Sequence, residues 1–337
     1  MQQLMFIKPG ATEWHDAPPP RLDADTDVLV RPVAVATCDL DVAIAQGRFP
    51  IEGPFPLGHE FVAEVTDAGD AGGHAPGDLI IVPFQISCGT CPRCRRGLTG
   101  SCTSVPMRSM YGLGSIGGDW GGALSDVVRV PYAAYMGVPL PDGIDPVTAA
   151  SVGDNISDAW RAVVTPLEQL PGSSVLIVGG DGATSIGLYA IDLALAAGAS
   201  SVTYVNHDEA RLALAADLGA DVDHPGAHRL GPFPITVDVN ADPASIALAI
   251  RSTEPGGICT SVGVPLQLDV PIPLLEAYGD GLDLHLGRAH ARPVIPSVLA
   301  LIADGRIRPD VVTTIVAPWS DAPAVLADPP TKAVISR

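Results

Sequence analysis

The chain has 337 residues, 47% of them hydrophobic and 17% charged, which is room for two domains with packed cores. Nineteen basic residues against 38 acidic ones give a net charge of −19, which argues against nucleic acid and anionic membrane surfaces as partners, because both need a basic face. No apolar run reaches the roughly 20 residues of a membrane-spanning helix. The opening MQQLMFIKPG also lacks the apolar stretch of a secretory leader, so a soluble cytoplasmic protein is expected.

Up to about residue 150 the chain is built of short apolar runs broken by Gly and Pro: DVLVRPVAVA, EFVAEV, GDLIIVPF and ALSDVVRVP. This pattern predicts small β-strands joined by turns in a barrel-like domain. The Pro-rich DAPPPRLDADTD before them reads as a surface loop. From about residue 170 the rhythm changes. SSVLIVGG reads as a buried strand, SIGLYAIDLALAAGA as a helix ended by Gly198, SVTYVN as a second strand and DEARLALAADLGA as a helix ended by Gly219. PITVDVN, SIALAIRST and GICTSVGV continue the alternation, which predicts a doubly wound parallel sheet.

Within the first regime lies a loop with four cysteines, Cys88, Cys91, Cys94 and Cys102, in CGTCPRCRRGLTGSC. The spacing C-x2-C-x2-C-x7-C brings soft thiolates within reach of one tetrahedral ion, and a closed four-sulfur zinc site is the reading. Disulfides would need an oxidising compartment. An iron–sulfur cluster also uses four cysteines, but ferredoxin-type runs are spaced differently. Cys38 and Cys259 remain outside the loop.

The turn VGGDGATSIG follows the first strand of the second regime and opens its helix, which is the context for binding a dinucleotide pyrophosphate on backbone N–H groups. Gly180 and Gly182 supply G-x-G, whereas Ser185 stands where the third glycine of the fingerprint belongs, and Gly187 follows two residues later. Three further positions have possible metal donors: Cys38 after a strand-like run, His59-Glu60 in PLGHEF, and Asp154 in SVGDNISDAW. Singly these read as a small buried hydrophobe, a turn and a helix cap. Their spacing alone does not join them.

The G-H-E turn, the four-cysteine loop, GVPLPDGI and the Gly-rich strand–helix unit stand in the order found in zinc-dependent alcohol dehydrogenases of the medium-chain dehydrogenase/reductase superfamily. The chain resembles that family over essentially its whole length. The resemblance implies an α/β architecture, with a GroES-like catalytic domain over 1–155 and 288–337 and a Rossmann domain over 156–287, the active site in the cleft between. It implies Cys38, His59 and Asp154 as ligands of a catalytic zinc, Glu60 as an acidic neighbour able to approach the metal, and Asp41 as the carboxylate that fixes the ligating histidine. The four-cysteine loop becomes the structural zinc site, giving two zinc ions per chain. Gly180, Gly182, Ser185, Ile186, Asn206, Arg211, Val262 and Asp158 are the implied cofactor contacts. A small-molecule substrate and a homodimer or homotetramer also follow from the resemblance.

Three-ligand zinc leaves a position for substrate oxygen, and nicotinamide carries the hydride. Two departures matter. The family's C-x-[ST]-D places a proton-relay hydroxyl where this chain has Leu40, in Cys38-Asp39-Leu40-Asp41. Water, Asp39, Ser157 or Glu60 would then pass the proton, or the enzyme would reduce a conjugated C=C or C=N bond instead. In addition, the second strand ends in Asn206, where NAD enzymes usually carry an acid that repels a 2′-phosphate. NAD is favoured with NADP tolerated, and Arg211 could reach a phosphate. Trp120 and Trp160 are candidate pocket residues.

Overall fold

The computed structural model describes residues 1–180 and 185–337. In chain order it contains β1 (Gln2–Lys8), β2 (Ala11–Asp16), β3 (Val28–Ala36), α1 (Asp39–Ala45), β4 (Phe55–Pro56), β5 (Glu60–Ala68), β6 (Leu79–Val82), α2 (Gly114–Gly117), β7 (Val128–Val130), α3 (Ala133–Met136), β8 (Val138–Pro139), α4 (Pro146–Ala149) and α5 (Asn155–Gln169). The alternating part follows: β9 (Val175–Gly180), α6 (Ser185–Ala196), β10 (Val202–Asn206), α7 (Glu209–Leu218), β11 (Asp221–Asp223), β12 (Phe233–Asp238), α8 (Pro243–Ser252), β13 (Thr253–Ser261), α9 (Leu274–Asp280) and β14 (Asp283–Leu286). The tail adds α10 (Ala291–Ala303), α11 (Pro309–Val312), β15 (Ile315–Pro318), α12 (Ala322–Ala327) and β16 (Ala333–Ser336).

Two compact units result, one of residues 1–157, 290–304 and 313–337, the other of 158–289 and 305–312. The tail therefore divides, with α11 grouping with the second unit. In the first unit a sheet runs β15-β16-β3-β5-β6-β8, with β7 also paired to β3. Pro32 interrupts β3, and the register with β5 shifts just after it, as a residue without an N–H requires. The opening β1–β2 hairpin, turned at Pro9-Gly10, is a further pair of strands that the apolar runs of the sequence do not single out.

Register explains why distant residues meet. Ala36 at the end of β3 pairs with Glu60 at the start of β5, and also with Val334 of β16. Cys38, His59 and Lys332 therefore converge at one end of the central strand.

The second unit is the parallel sheet expected from the alternation, in the order β11-β10-β9-β12-β13-β14. The strand order reverses between β9 and β12, the point where such sheets bind ligands beyond the strand ends. Buried Leu176, Val178, Val205, Ile250 and Cys259 belong to its core, consistent with strands covered on both faces.

Candidate active site and metal centres

The four-cysteine loop folds as two short 3-10 turns, Cys94–Arg96 and Thr99–Ser101. Gly89 has φ +74 there, and a Cβ would strike the Tyr135 ring at 2.4 Å, so both conformation and space require glycine. The sulfurs of Cys88, Cys91, Cys94 and Cys102 lie within 4.8 Å of one another, and all six cysteines of the chain are free of disulfides. Backbone N–H groups of Cys91, Cys94 and Ser104 point at the sulfurs of Cys88, Cys91 and Cys102 at 3.3, 3.4 and 3.4 Å. The Ser104 hydroxyl donates to Cys88 at 3.1 Å. Hydrogen bonds from Thr103 and the Cys94 N–H hold the Cys91 thiol down to about 5, whereas burial and its neighbouring cysteines push Cys94 up to about 12. Four sulfurs this close, with backbone and hydroxyl donors aimed at them, fit a cation held by thiolates. Residues at the start of α10 brace the loop. His290 Nδ1 accepts the Gly100 N–H at 3.0 Å, and the Arg292 guanidinium lies 4.8 Å from the Tyr135 ring centre.

The second cluster forms at the convergence point. Cys38 caps α1, and Asp41 closes the cap by accepting the Cys38 N–H on Oδ2 at 3.0 Å. The other Asp41 oxygen faces His59 Nδ1 at 3.2 Å, so one carboxylate touches both the backbone of Cys38 and the ring of His59. His59 Nε2 points the opposite way, 3.3 Å from Asp154 Oδ2. Asp154 ends the 3-10 turn Ala150–Gly153. A Cβ on Gly153 would lie 2.6 Å from the Val82 carbonyl, so glycine lets this turn pack against β6. Donor atoms of Cys38, His59, Glu60 and Asp154 all lie within 4.8 Å of one another, and all four residues are buried.

The electrostatics show what this arrangement favours. Burial, reinforced by Asp154, pushes the Cys38 thiol up to about 12. Burial likewise raises Glu60 to about 8, although Lys332 opposes it. For His59, burial works against the charged form, but Asp41 and then Cys38 outweigh it and leave the imidazole well above its ordinary value. Burial thus holds Cys38 and Glu60 toward their neutral forms, and a divalent cation among a thiolate, an imidazole and carboxylates would favour the ionised ones, so the donor set fits zinc.

Two members of this cluster carry no motif signal. Lys332 is completely buried and donates to Glu60 Oε2 at 3.0 Å, to Oε1 at 3.2 Å and to Asn155 Oδ1 at 2.8 Å. Asn155 donates in turn to Cys38 Sγ at 3.4 Å and to Asp154 Oδ2 at 3.2 Å. A lysine in a C-terminal stretch reads as a solvated residue; only the pairing of β16 with β3 reveals its place.

Of the proposed cofactor residues, Gly180 ends β9, Ser185 and Ile186 open α6, and Gly182 lies outside the described residues, with Asp181, Ala183 and Thr184. Asn206 is buried at the end of β10, beside Gly180 in register. Its Oδ1 accepts the Asp208 N–H at 2.8 Å and its Nδ2 donates to the Tyr204 hydroxyl at 3.0 Å. Arg211 lies in the first turn of α7. Val262 follows β13, its N–H bonded to the Asp238 carbonyl at 2.9 Å. Asp158 pairs with Arg161, which also donates to the Gly287 carbonyl at 2.6 Å. Trp120 and Trp160 are both half-buried.

Residues 24–142 match the alcohol dehydrogenase GroES-like domain. A probable zinc-binding alcohol dehydrogenase of Mycobacterium tuberculosis is 29% identical over 96% of this chain and 83% of its own length. A medium chain reductase/dehydrogenase, ucsI, of Acremonium sp is 31% identical over 65% of this chain and 74% of its own. The solved alcohol dehydrogenase TADH of Thermus sp. ATN1 superposes with a TM-score of 0.88, at 30% identity, over 100% of this chain and 99% of that one. The chain belongs to the zinc-dependent alcohol dehydrogenase family of the medium-chain dehydrogenase/reductase superfamily. As a member of that family it is an oxidoreductase that works with zinc and NAD(P), combining a GroES-like domain with a Rossmann-type sheet. Among the described residues, no helix is long and apolar enough to cross a membrane.

Proposed function

We infer that the chain transfers hydride between a nicotinamide cofactor and a small alcohol or carbonyl substrate, with Cys38, His59 and Asp154 as ligands of a catalytic zinc and Glu60 beside them. Cys88, Cys91, Cys94 and Cys102 hold a second, structural zinc. The carrying observation is the buried quartet of Cys38, His59, Glu60 and Asp154, whose donor atoms fall within 4.8 Å of one another. When bound, zinc polarises the substrate oxygen and the nicotinamide gives or takes hydride. The chain's own part is to hold that constellation. Asp41 holds the His59 ring from its Nδ1 side with Nε2 turned toward Asp154, and Lys332 balances Glu60.

Metal analysis tests the assignment: two zinc ions per chain in the wild type and one in Cys38→Ser. One ion in the wild type, unchanged by that substitution, removes the catalytic site.

A specific observation favours keeping the second reading, reduction of a conjugated C=C or C=N bond. Leu40 cannot pass a proton, and the single hydroxyl hydrogen of Ser157 is directed at the Val152 carbonyl at 2.7 Å. Hydride transfer measured over alcohols, aldehydes and enones with both cofactors separates the readings. At the end of β10, Asn206 can bond a ribose hydroxyl but carries no charge to repel a 2′-phosphate, so NAD is the reading with NADP tolerated. Six free cysteines, four of them clustered, suit a reducing cytoplasm. A homo-oligomer fits the edge of the parallel sheet, where among the described residues β14 pairs with β13 alone and Leu286 is 65% exposed.

A further inference from the structure

We propose that Asn155 is a positioning residue of the catalytic metal centre, its amide locked by Lys332 so that its N–H group restrains both anionic ligands. The inference rests on the reading of Cys38, His59 and Asp154 as a zinc site. Its starting point is the donor chemistry of lysine. An ammonium group only donates, so the Asn155 atom 2.8 Å from Lys332 Nζ must be the carbonyl oxygen. That choice fixes the opposite end of the amide as the NH2 group. It lies 3.4 Å from Cys38 Sγ and 3.2 Å from Asp154 Oδ2, the two groups that carry negative charge when they ligate. All the parts are buried: Asn155 and Lys332 are fully shielded from solvent, so water does not compete for these bonds.

The arrangement does two things. It links the ligand from α1 with the ligand beside α5, which come from sequence positions 116 residues apart. It also places a hydrogen-bond donor on the thiolate, which lowers the energy of the sulfur lone pairs and makes the sulfur a weaker electron donor to the metal. A Cys/His/Asp set delivers two negative charges to zinc, and an N–H shared between the two anionic ligands returns part of the lost Lewis acidity.

The test uses the zinc-loaded enzyme and two variants. Asn155→Leu removes the amide at similar volume. Asn155→Asp keeps an oxygen for Lys332 and loses the donor. A competing chromophoric chelator reads the affinity of each zinc, and cobalt placed in the catalytic site reads the sulfur-to-metal charge-transfer band. Asn155→Leu is expected to bind the catalytic zinc about 10–100-fold more weakly, with the four-cysteine zinc unchanged as an internal control. The cobalt band is expected to move to longer wavelength, a shift that loss of packing alone does not produce. If Asn155→Leu fails to fold, Asn155→Asp decides alone. An unmoved cobalt band in Asn155→Asp overturns the proposal. A wild type that holds a single zinc, on the four cysteines, instead overturns the site reading beneath it.

Discussion

At Leu40 the chain gives up the hydroxyl that its family places two residues beyond the first zinc ligand. The residue sits in the first turn of α1, where Cys38 and Asp41 are locked by reciprocal capping bonds. The backbone there is held independently of the side chain at position 40, so Leu40→Ser or Leu40→Thr should keep the site geometry. If alkoxide protonation limits the wild type, either variant should speed oxidation of secondary and benzylic alcohols by part of the about 10²–10⁴-fold that acid–base assistance supplies. Steady-state pH–rate profiles of both variants check this. Rapid alcohol oxidation by the wild type with no gain in the variants would clear Leu40. A second prediction at this scale concerns Asn206. An aspartate there can still accept the Asp208 N–H, and the Tyr204 hydroxyl can rotate to donate to it, so both bonds survive. Asn206→Asp should therefore fold normally and, through its added charge, weaken NADPH binding relative to NADH. Fluorescence titration with both cofactors gives the ratio, and an unchanged ratio would place the discriminating group elsewhere. Both residues were visible in the sequence as departures from a pattern. The inward orientation of Asn206 was not, because it depends on Tyr204 and the turn at Asp208.

Among the elements, the four-cysteine loop and the β12–α8–β13 unit depend on small sets of polar contacts. Replacing Cys91 by serine removes one sulfur from a site whose bound metal contributes folding free energy directly. Cys91→Ser should lower the melting temperature markedly while activity per folded molecule falls much less, as calorimetry and active-site titration would show. A variant of normal stability and no turnover contradicts this division of labour. In the second unit, Asp238 is completely buried at the end of β12 and accepts from Ser245 Oγ and Ser261 Oγ, both at 2.7 Å, and from the Ala241 N–H at 3.2 Å. It thereby ties β12 to α8 and β13. An amide at this position would turn donors toward donors, so Asp238→Asn should destabilise by about 1–3 kcal/mol. A denaturant midpoint equal to wild type would show that the serines find other partners. Nothing in PITVDVN marks this aspartate: a polar residue closing an apolar run reads as a strand end, and its partners lie 7 and 23 residues away.

For the whole molecule, association is the remaining question. Leu274, Leu275 and Tyr278 of α9 and Leu286 of β14 are 67, 83, 82 and 65% exposed, a concentration of apolar groups unusual for a monomer carrying 38 acidic residues. β14 could accept a second copy of itself along its open side. Light scattering should give a multiple of 34.6 kDa for the wild type and the monomer mass for Leu286→Asp. A wild-type monomer at micromolar concentration would remove the oligomer from this account.

The sequence by itself determined the two regimes of the chain, the parallel sheet and the four-cysteine loop. Each rests on short-range order: alternation of apolar and turn residues, or cysteines close enough in sequence to reach one ion. It also supplied Cys38, His59, Glu60 and Asp154 through motif resemblance, although spacing alone could not join them. Only the tertiary structure decided that they share one buried volume, because β3 pairing with β5 brings Cys38 to His59 and Glu60, and the turn packed against β6 brings in Asp154. The pairing of β16 with β3 carries Lys332 from the far end of the chain to Glu60 and Asn155. Strand register is set by contacts distant in sequence, and a buried lysine leaves no local pattern by which to find it.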